Sequence, residues 1–124
     1  MSKKILICED NQMNFFVLQN LMYKVCSGIE ITHAVDGKVG LDLFLTDIFD
    51  AVITDISMPE LDGWQLIEKL VNMGYPVNRI MVVSAETLPN LLKEAQKYGV
   101  KHCFTKPFMV EHAAEMCSFI NGLE

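Results

Sequence analysis

Basic residues are few and scattered, with ten Lys and Arg against sixteen Asp and Glu, a formal charge of −6. Duplex nucleic acids are held by clustered cations that displace counterions, so this shortage argues against a nucleic-acid surface. Long apolar runs are also missing. Behind Met1-Ser2-Lys3-Lys4 the first run reaches only from Ile5 to Cys8 before Glu9 and Asp10 interrupt it. That is too short for a signal peptide or a membrane span. Cys8, Cys26, Cys103 and Cys117 form no C-x-x-C pair, and all but Cys26 lie within apolar runs or stripes. Small buried thiols sit this way, so a reducing, cytoplasmic setting is expected. Linkers, repeats and low-complexity segments are absent as well, and 124 residues leave no room for a second domain beside one spanning 1–124. Hydrophobic residues make up 51% of the chain, enough for one proper core.

Apolar stretches alternate between two kinds. Ile5 to Cys8, Ala51 to Thr54, Ile80 to Val83 and Cys103 to Thr105 are short and largely uninterrupted, as strands buried on both faces require. Ile29, Ile31, His33 and Val35 instead alternate with Glu30, Thr32 and Ala34, which reads as an edge strand with one wetter face. Between the strands, residues recur at helical spacing. Val17, Leu18, Leu21, Met22 and Val25 follow a capping Asn11 and stop at Ser27-Gly28. Leu41, Phe44, Leu45 and Ile48 mark a second helix after the Asp36-Gly37 turn, and Leu66, Ile67, Leu70 and Val71 a third, started by Trp64. Leu88, Leu91, Leu92 and Ala95 mark a fourth that closes at Gly99, and Val110, Ala113, Ala114, Cys117 and Ile120 a fifth. The alternation predicts an α/β doubly wound, five-stranded parallel sheet, flavodoxin-like with strand order 2-1-3-4-5.

Chemistry-bearing residues stand just past the strands. Glu9 and Asp10 follow the first, Asp55 the third, Ser84 the fourth and Lys106 the fifth. Parallel sheets gather their sites at the carboxyl ends of the strands, so three carboxylates, a hydroxyl and an ammonium are expected in one crevice. An all-oxygen donor set favours Mg²⁺, which keeps several waters beside one or two carboxylates and phosphate oxygens. An ionised Asp has no proton to lose and can attack phosphorus directly, and Asp55 is the expected acceptor. Lys106 supplies a compact compensating charge, and Pro107 after it leaves the isomer of the bond between them open.

Glu9-Asp10-Asn11, the stretch Thr54-Asp55-Ile56-Ser57-Met58-Pro59-Glu60-Leu61-Asp62-Gly63, Ser84-Ala85 and Lys106-Pro107-Phe108 together resemble the receiver domain of bacterial two-component response regulators. The resemblance implies phosphoryl transfer from a sensor histidine kinase or histidine phosphotransfer protein onto Asp55. It also implies Mg²⁺ held by Glu9, Asp10, Asp55 and the backbone carbonyl of Ser57, a phosphoryl group bound by Ser84 and Lys106, and hydrolysis tuned at Ser57 and Glu86. A stand-alone, CheY-like regulator is expected, a phosphoacceptor rather than an enzyme, without an output domain. Its output would be an unknown downstream protein or a phosphorelay, with no nucleic-acid or membrane partner and a monomer or weak dimer as its state.

Where such domains usually place an inward-swinging Tyr or Phe, three residues before the lysine, this chain has Cys103. Phe104 beside it points to the opposite face by strand geometry, so the aromatic half of the switch is expected to be missing. Met109, Met116, Phe119 and Leu123 widen the apolar face of the last helix, which reads either as a partner or dimer surface or as an amphipathic helix with a few exposed apolar groups. His33, His102 and His112 are dispersed and read as packing or surface residues. A Mg²⁺-dependent phosphatase acting through an aspartyl phosphate is the alternative, weakened by Ser57 where a second Asp is wanted. A flavin carrier fares worse, because Glu9 and Asp10 would repel an anion.

Overall fold

The computed structural model describes residues 2–123, and among them five strands alternate with five helices. The strands are β1 (Lys3–Cys8), β2 (Ile29–Ala34), β3 (Ala51–Asp55), β4 (Ile80–Ser84) and β5 (His102–Thr105). The helices are α1 (Gln12–Val25), α2 (Gly37–Phe44), α3 (Gly63–Asn72), α4 (Leu88–Tyr98) and α5 (Val110–Asn121), with a 3-10 turn at Val77–Arg79 ahead of β4. All pairings are parallel in the order β2-β1-β3-β4-β5. This is the doubly wound order that the alternation of short and periodic runs predicts. No helix among the described residues is long and apolar enough to cross a membrane.

Period-two geometry divides the core in two. Leu6, Val52 and Val82 face one side, where Leu66, Ile67 and Leu70 of α3 and Leu91 and Ala95 of α4 close over them. Ile5, Ile7, Ile53, Met81 and Val83 face the other, under Leu18 and Met22 of α1 and Ala113, Met116 and Ile120 of α5. Each such side chain taken fully out of water contributes roughly 1.5–3 kcal/mol, so the two layers together hold the sheet between its helices.

Three expectations are corrected. The stripe through Ile48 does not continue α2, which ends at Phe44; Ile48 is 84% exposed and Phe49 enters the core in its place. Thr46 and Asp47 bond locally there, Thr46 Oγ1 to the Leu43 carbonyl and Asp47 Oδ1 to the Ile48 N–H, which turns the chain out of its helix. Met116 lies wholly inside the core and belongs to no outer surface, because it shares the buried face of α5 with Ala113 and Ile120. The flanks of several stripes, among them Val17, Val71, Leu88 and Leu92, stay exposed, since a helix covering one sheet face buries a narrower strip than its periodicity offers.

The cysteines differ most from expectation. Cys26, the C-cap of α1, and Cys117 of α5 form a disulfide with Cα atoms 5.5 Å apart across a sequence separation of 91. No local spacing signals a bond between residues so distant, and only the packing of α1 on α5 brings them together. Cys8 and Cys103 are free. Closing so long a loop restricts the unfolded chain, so reduction or Cys117→Ser is expected to cost about 2–4 kcal/mol. Thermal melts with and without dithiothreitol check this, and a transition indifferent to reductant would show that the sulfurs are not joined in solution.

Candidate functional site

The strand register brings the chemistry to one edge. Cys8 pairs with Thr54 and Asp55 with Val83, so Glu9 and Asp10 emerge from β1 directly beside Asp55 at the end of β3. Ser84 pairs with Thr105, and the Lys106 N–H donates to the Ser84 carbonyl at 2.8 Å, extending the ladder one step past the strands. That bond sets the root of the lysine side chain. The Lys106-Pro107 bond is cis.

Lys106 reaches across β4 to the acids. Its Nζ lies 2.8 Å from Asp55 Oδ2 and 2.9 Å from Glu9 Oε1. Asp55 Oδ1 accepts the Ile56 N–H at 2.7 Å, and Glu9 Oε2 accepts the Asn11 N–H at 3.1 Å. Glu9 is 4% exposed and Asp55 7%, whereas Asp10 is exposed. Ligand atoms of Glu9, Asp10 and Asp55 all lie within 4.8 Å of one another. Three carboxylates against one ammonium leave the pocket two charges short of neutral.

The imbalance shows in the titration of Glu9. Burial raises its pKa and so does the charge of Asp55; the Lys106 and Asn11 bonds oppose them, and the outcome is about 7 against an ordinary 4.5. Burial also works against the Lys106 ammonium, but hydrogen bonds and charge from Asp55 and Glu9 outweigh it and hold the pKa above its usual value. One ammonium bonds both buried carboxylates but offsets only one of their two charges. A like-charge pair within 4.8 Å costs about 3 kcal/mol or more even at an effective dielectric near 20, so the pocket favours a further cation. The donor set is all oxygen, which suits Mg²⁺.

The loop after β3 is built against the site. Gly63, first residue of α3, has no room for a side chain because a Cβ would strike the Asp55 carbonyl oxygen, and its N–H donates to the Ile56 carbonyl at 2.8 Å. Asp62 and Gln65 cap the same helix reciprocally. Thr54 Oγ1 donates to the Asp55 carbonyl at 2.7 Å. The signal for the helix cap stands openly in the sequence, where Asp62-Gly63-Trp64-Gln65 carries the capping pattern.

Ser84 is 3% exposed at the end of β4, where its Oγ accepts the Glu86 N–H at 3.2 Å. Ser57 and Glu86 are exposed on the loops beyond Asp55 and Ser84. Cys103 packs toward the face covered by α3 and α4, while Phe104 packs toward α5 beside Phe108 and His112. The two neighbours thus point to opposite faces, as strand geometry requires. A cleft of about 120 Å³ beside Lys106 is lined by Glu9, Asn14, Val17, Leu18 and Phe108.

A family model described as the response regulator receiver domain matches residues 5–118. The chain is 31% identical over 110 residues to Transcriptional regulatory protein RprY of Bacteroides fragilis, an alignment covering 87% of this chain and 44% of that protein. It is 27% identical over 111 residues to Sensory/regulatory protein RpfC of Xanthomonas campestris pv. campestris, covering 87% and 15%. The chain therefore spans less than half the length of these relatives. Among solved structures, chemotaxis response regulator CheY4 of Vibrio cholerae superposes with a TM-score of 0.83 at 21% identity, over 97% of this chain and 99% of that one, a likeness of fold.

A protonated Glu9 cannot ligate a metal, so Mg²⁺ affinity is expected to rise between about pH 5.5 and about pH 8, with proton release greatest at the lower end. Because the folded pKa is raised, the metal-free protein loses stability as pH climbs from 4.5 through about 7, and Mg²⁺ restores it. Calorimetric titrations in buffers of different ionisation enthalpy, with melts alongside, check both. An affinity flat across this range would mean that Glu9 is ionised throughout.

Proposed function

The chain belongs to the response regulator receiver domain family, phosphoacceptors of two-component signalling, and we propose that it takes a phosphoryl group onto Asp55 in a Mg²⁺-dependent reaction. The observation that carries this reading is the Lys106 ammonium lodged between Asp55 and Glu9 inside an acidic cluster. An ion pair alone would need one carboxylate, not three.

Asp55 needs no general base. A carboxylate oxygen attacks phosphorus, the bond from phosphorus to the donor histidine nitrogen breaks, and the imidazole leaves with that electron pair. Positioning and charge neutralisation do most of the work in such transfers. Lys106 holds the carboxylate beforehand and pairs with a phosphoryl oxygen afterwards, and the Ser84 hydroxyl donates to another. Glu9, Asp10, Asp55 and the Ser57 carbonyl are the groups that would hold Mg²⁺, which when bound offsets charge on the transferring oxygens. Ser57 and Glu86 flank the pocket from exposed loops and would govern the access of hydrolytic water.

The donor in this reading is a sensor histidine kinase or histidine phosphotransfer protein. Met13, Phe16 and Val17 on α1, with Met109 and Val110 at the start of α5, leave exposed apolar side chains near the pocket for such a protein to cover. The signal passes to a downstream protein by contact or onward relay. With Cys103 in the usual aromatic place, the change leaves the site through Ser84 and its loop. A stand-alone, cytoplasmic regulator is part of the same proposal, decided by the mass of the native polypeptide against 14.0 kDa. In a reducing cytoplasm the Cys26–Cys117 pair would be held as thiols and would join only on oxidation.

Incubation with Mg²⁺ and labelled acetyl phosphate tests the reading. Stoichiometric, alkali-labile label is expected on the wild type and none on Asp55→Asn. Repeated turnover of many phosphomonoesters would mark a phosphatase instead.

A further inference from the structure

Asp10 is the least anchored member of the pocket. Among the described residues no side-chain hydrogen bond or ion pair holds it, whereas Glu9 is tied to Asn11 and Lys106, and Asp55 to Ile56 and Lys106. Only the backbone that carries it can place its carboxylate. That backbone is the Glu9–Asp10 peptide, just past the end of β1.

One side of Glu9 is still held by the sheet, its N–H donating to the Ala34 carbonyl at 3.0 Å. The carbonyl lies beyond the ladder and bonds a side chain instead, with His33 Nε2 at 2.8 Å. A carbonyl only accepts, so Nε2 carries the proton, and both the neutral ring in that tautomer and the imidazolium can donate. Phe15 of α1 fixes the ring from its face, the two centroids 3.6 Å apart and the planes within 5°. The imidazole is thus pinned between the end of β2 and the first turns of α1, with the β1–α1 loop bonded to its edge.

We propose that His33 is a positioning residue of the acidic pocket, setting the Glu9–Asp10 peptide through the Glu9 carbonyl and so fixing where the Asp10 carboxylate stands beside Glu9 and Asp55. The inference rests on reading that pocket as the Mg²⁺ site of a receiver. Groups that orient metal ligands from outside the coordination sphere matter because a carboxylate free to wander loses affinity to its own motion.

Two variants of the full chain separate the hydrogen bond from the packing. His33→Phe keeps an aromatic face against Phe15 and removes the donor, while His33→Gln restores a donor without the ring. Mg²⁺ affinity is read by calorimetry, and the metal-free melting temperature is followed beside it. His33→Phe is expected to bind Mg²⁺ about tenfold more weakly with its melting temperature near wild type, and His33→Gln to regain most of the loss. Wild-type affinity in His33→Phe, or equal losses in both variants, overturns the proposal. In the unaltered protein the Nε2 proton of His33 should exchange slowly with solvent by NMR, and free exchange also overturns it whatever the variants do. A wild type that binds Mg²⁺ but takes no label from acetyl phosphate refutes the phosphoacceptor reading alone. A wild type that binds no Mg²⁺ refutes both.

Discussion

The structure turns on one ammonium shared by two buried carboxylates. Lys106 sits 2.8 Å from Asp55 and 2.9 Å from Glu9, and all three side chains are largely withdrawn from water. A buried charge without a partner is costly, so each of these groups is tolerable only because the others are there. Parallel pairing in the order β2-β1-β3-β4-β5 is what makes the arrangement possible, since it brings residues from the start, middle and end of the chain to one edge. With Asp10 added the pocket keeps an excess of negative charge, and that excess favours a further cation beside the ion pair.

Local structure around the pocket serves this cluster. The Lys106 amide continues the β4–β5 ladder onto Ser84, so lysine and hydroxyl share one backbone anchor. Gly63 lets α3 begin against the backbone of Asp55, and the Asp62–Gln65 cap keeps it there. Between them the chain makes a tight turn in which the Leu61 N–H donates to the Pro59 carbonyl and Glu60 takes φ of 70°, a conformation L-residues rarely adopt. Strain of this kind persists where the surroundings hold it, here next to the proposed acceptor. Trp64 follows at once, stacked on Tyr98 of α4 with centroids 4.8 Å apart, which ties the loop after β3 to the far end of α4.

What the sequence reveals and what it hides divide along a physical line. Continuous runs such as Ile5 to Cys8 and Ala51 to Thr54 announce buried strands because both of their faces are apolar. Asn11 and Gly99 announce helix ends because their chemistry suits a terminus, and they stand at the caps of α1 and α4. The convergence of Glu9, Asp10, Asp55, Ser84 and Lys106 follows from topology once the strands are placed. The hidden features depend on contacts between elements. Ile48 fits the stripe of α2 by spacing, yet the chain has already turned at Thr46. Cys26 and Cys117 meet only through the packing of two helices, and Met116 is decided by which face of α5 the sheet receives. His33 looks like one more strand residue until the Glu9 carbonyl is seen against its ring.

On the proposed reading the acidic pocket binds a cation and Asp55 carries a phosphoryl group held by Lys106. A crystal structure grown with Mg²⁺ and beryllofluoride, a phosphoryl mimic, tests this most directly. Beryllium is expected on an Asp55 carboxylate oxygen, Mg²⁺ among Glu9, Asp10 and Asp55, and the Lys106 ammonium on a fluoride. Beryllium elsewhere, or a pocket that keeps its Lys106 pairs unchanged with no metal at saturating Mg²⁺, would contradict it.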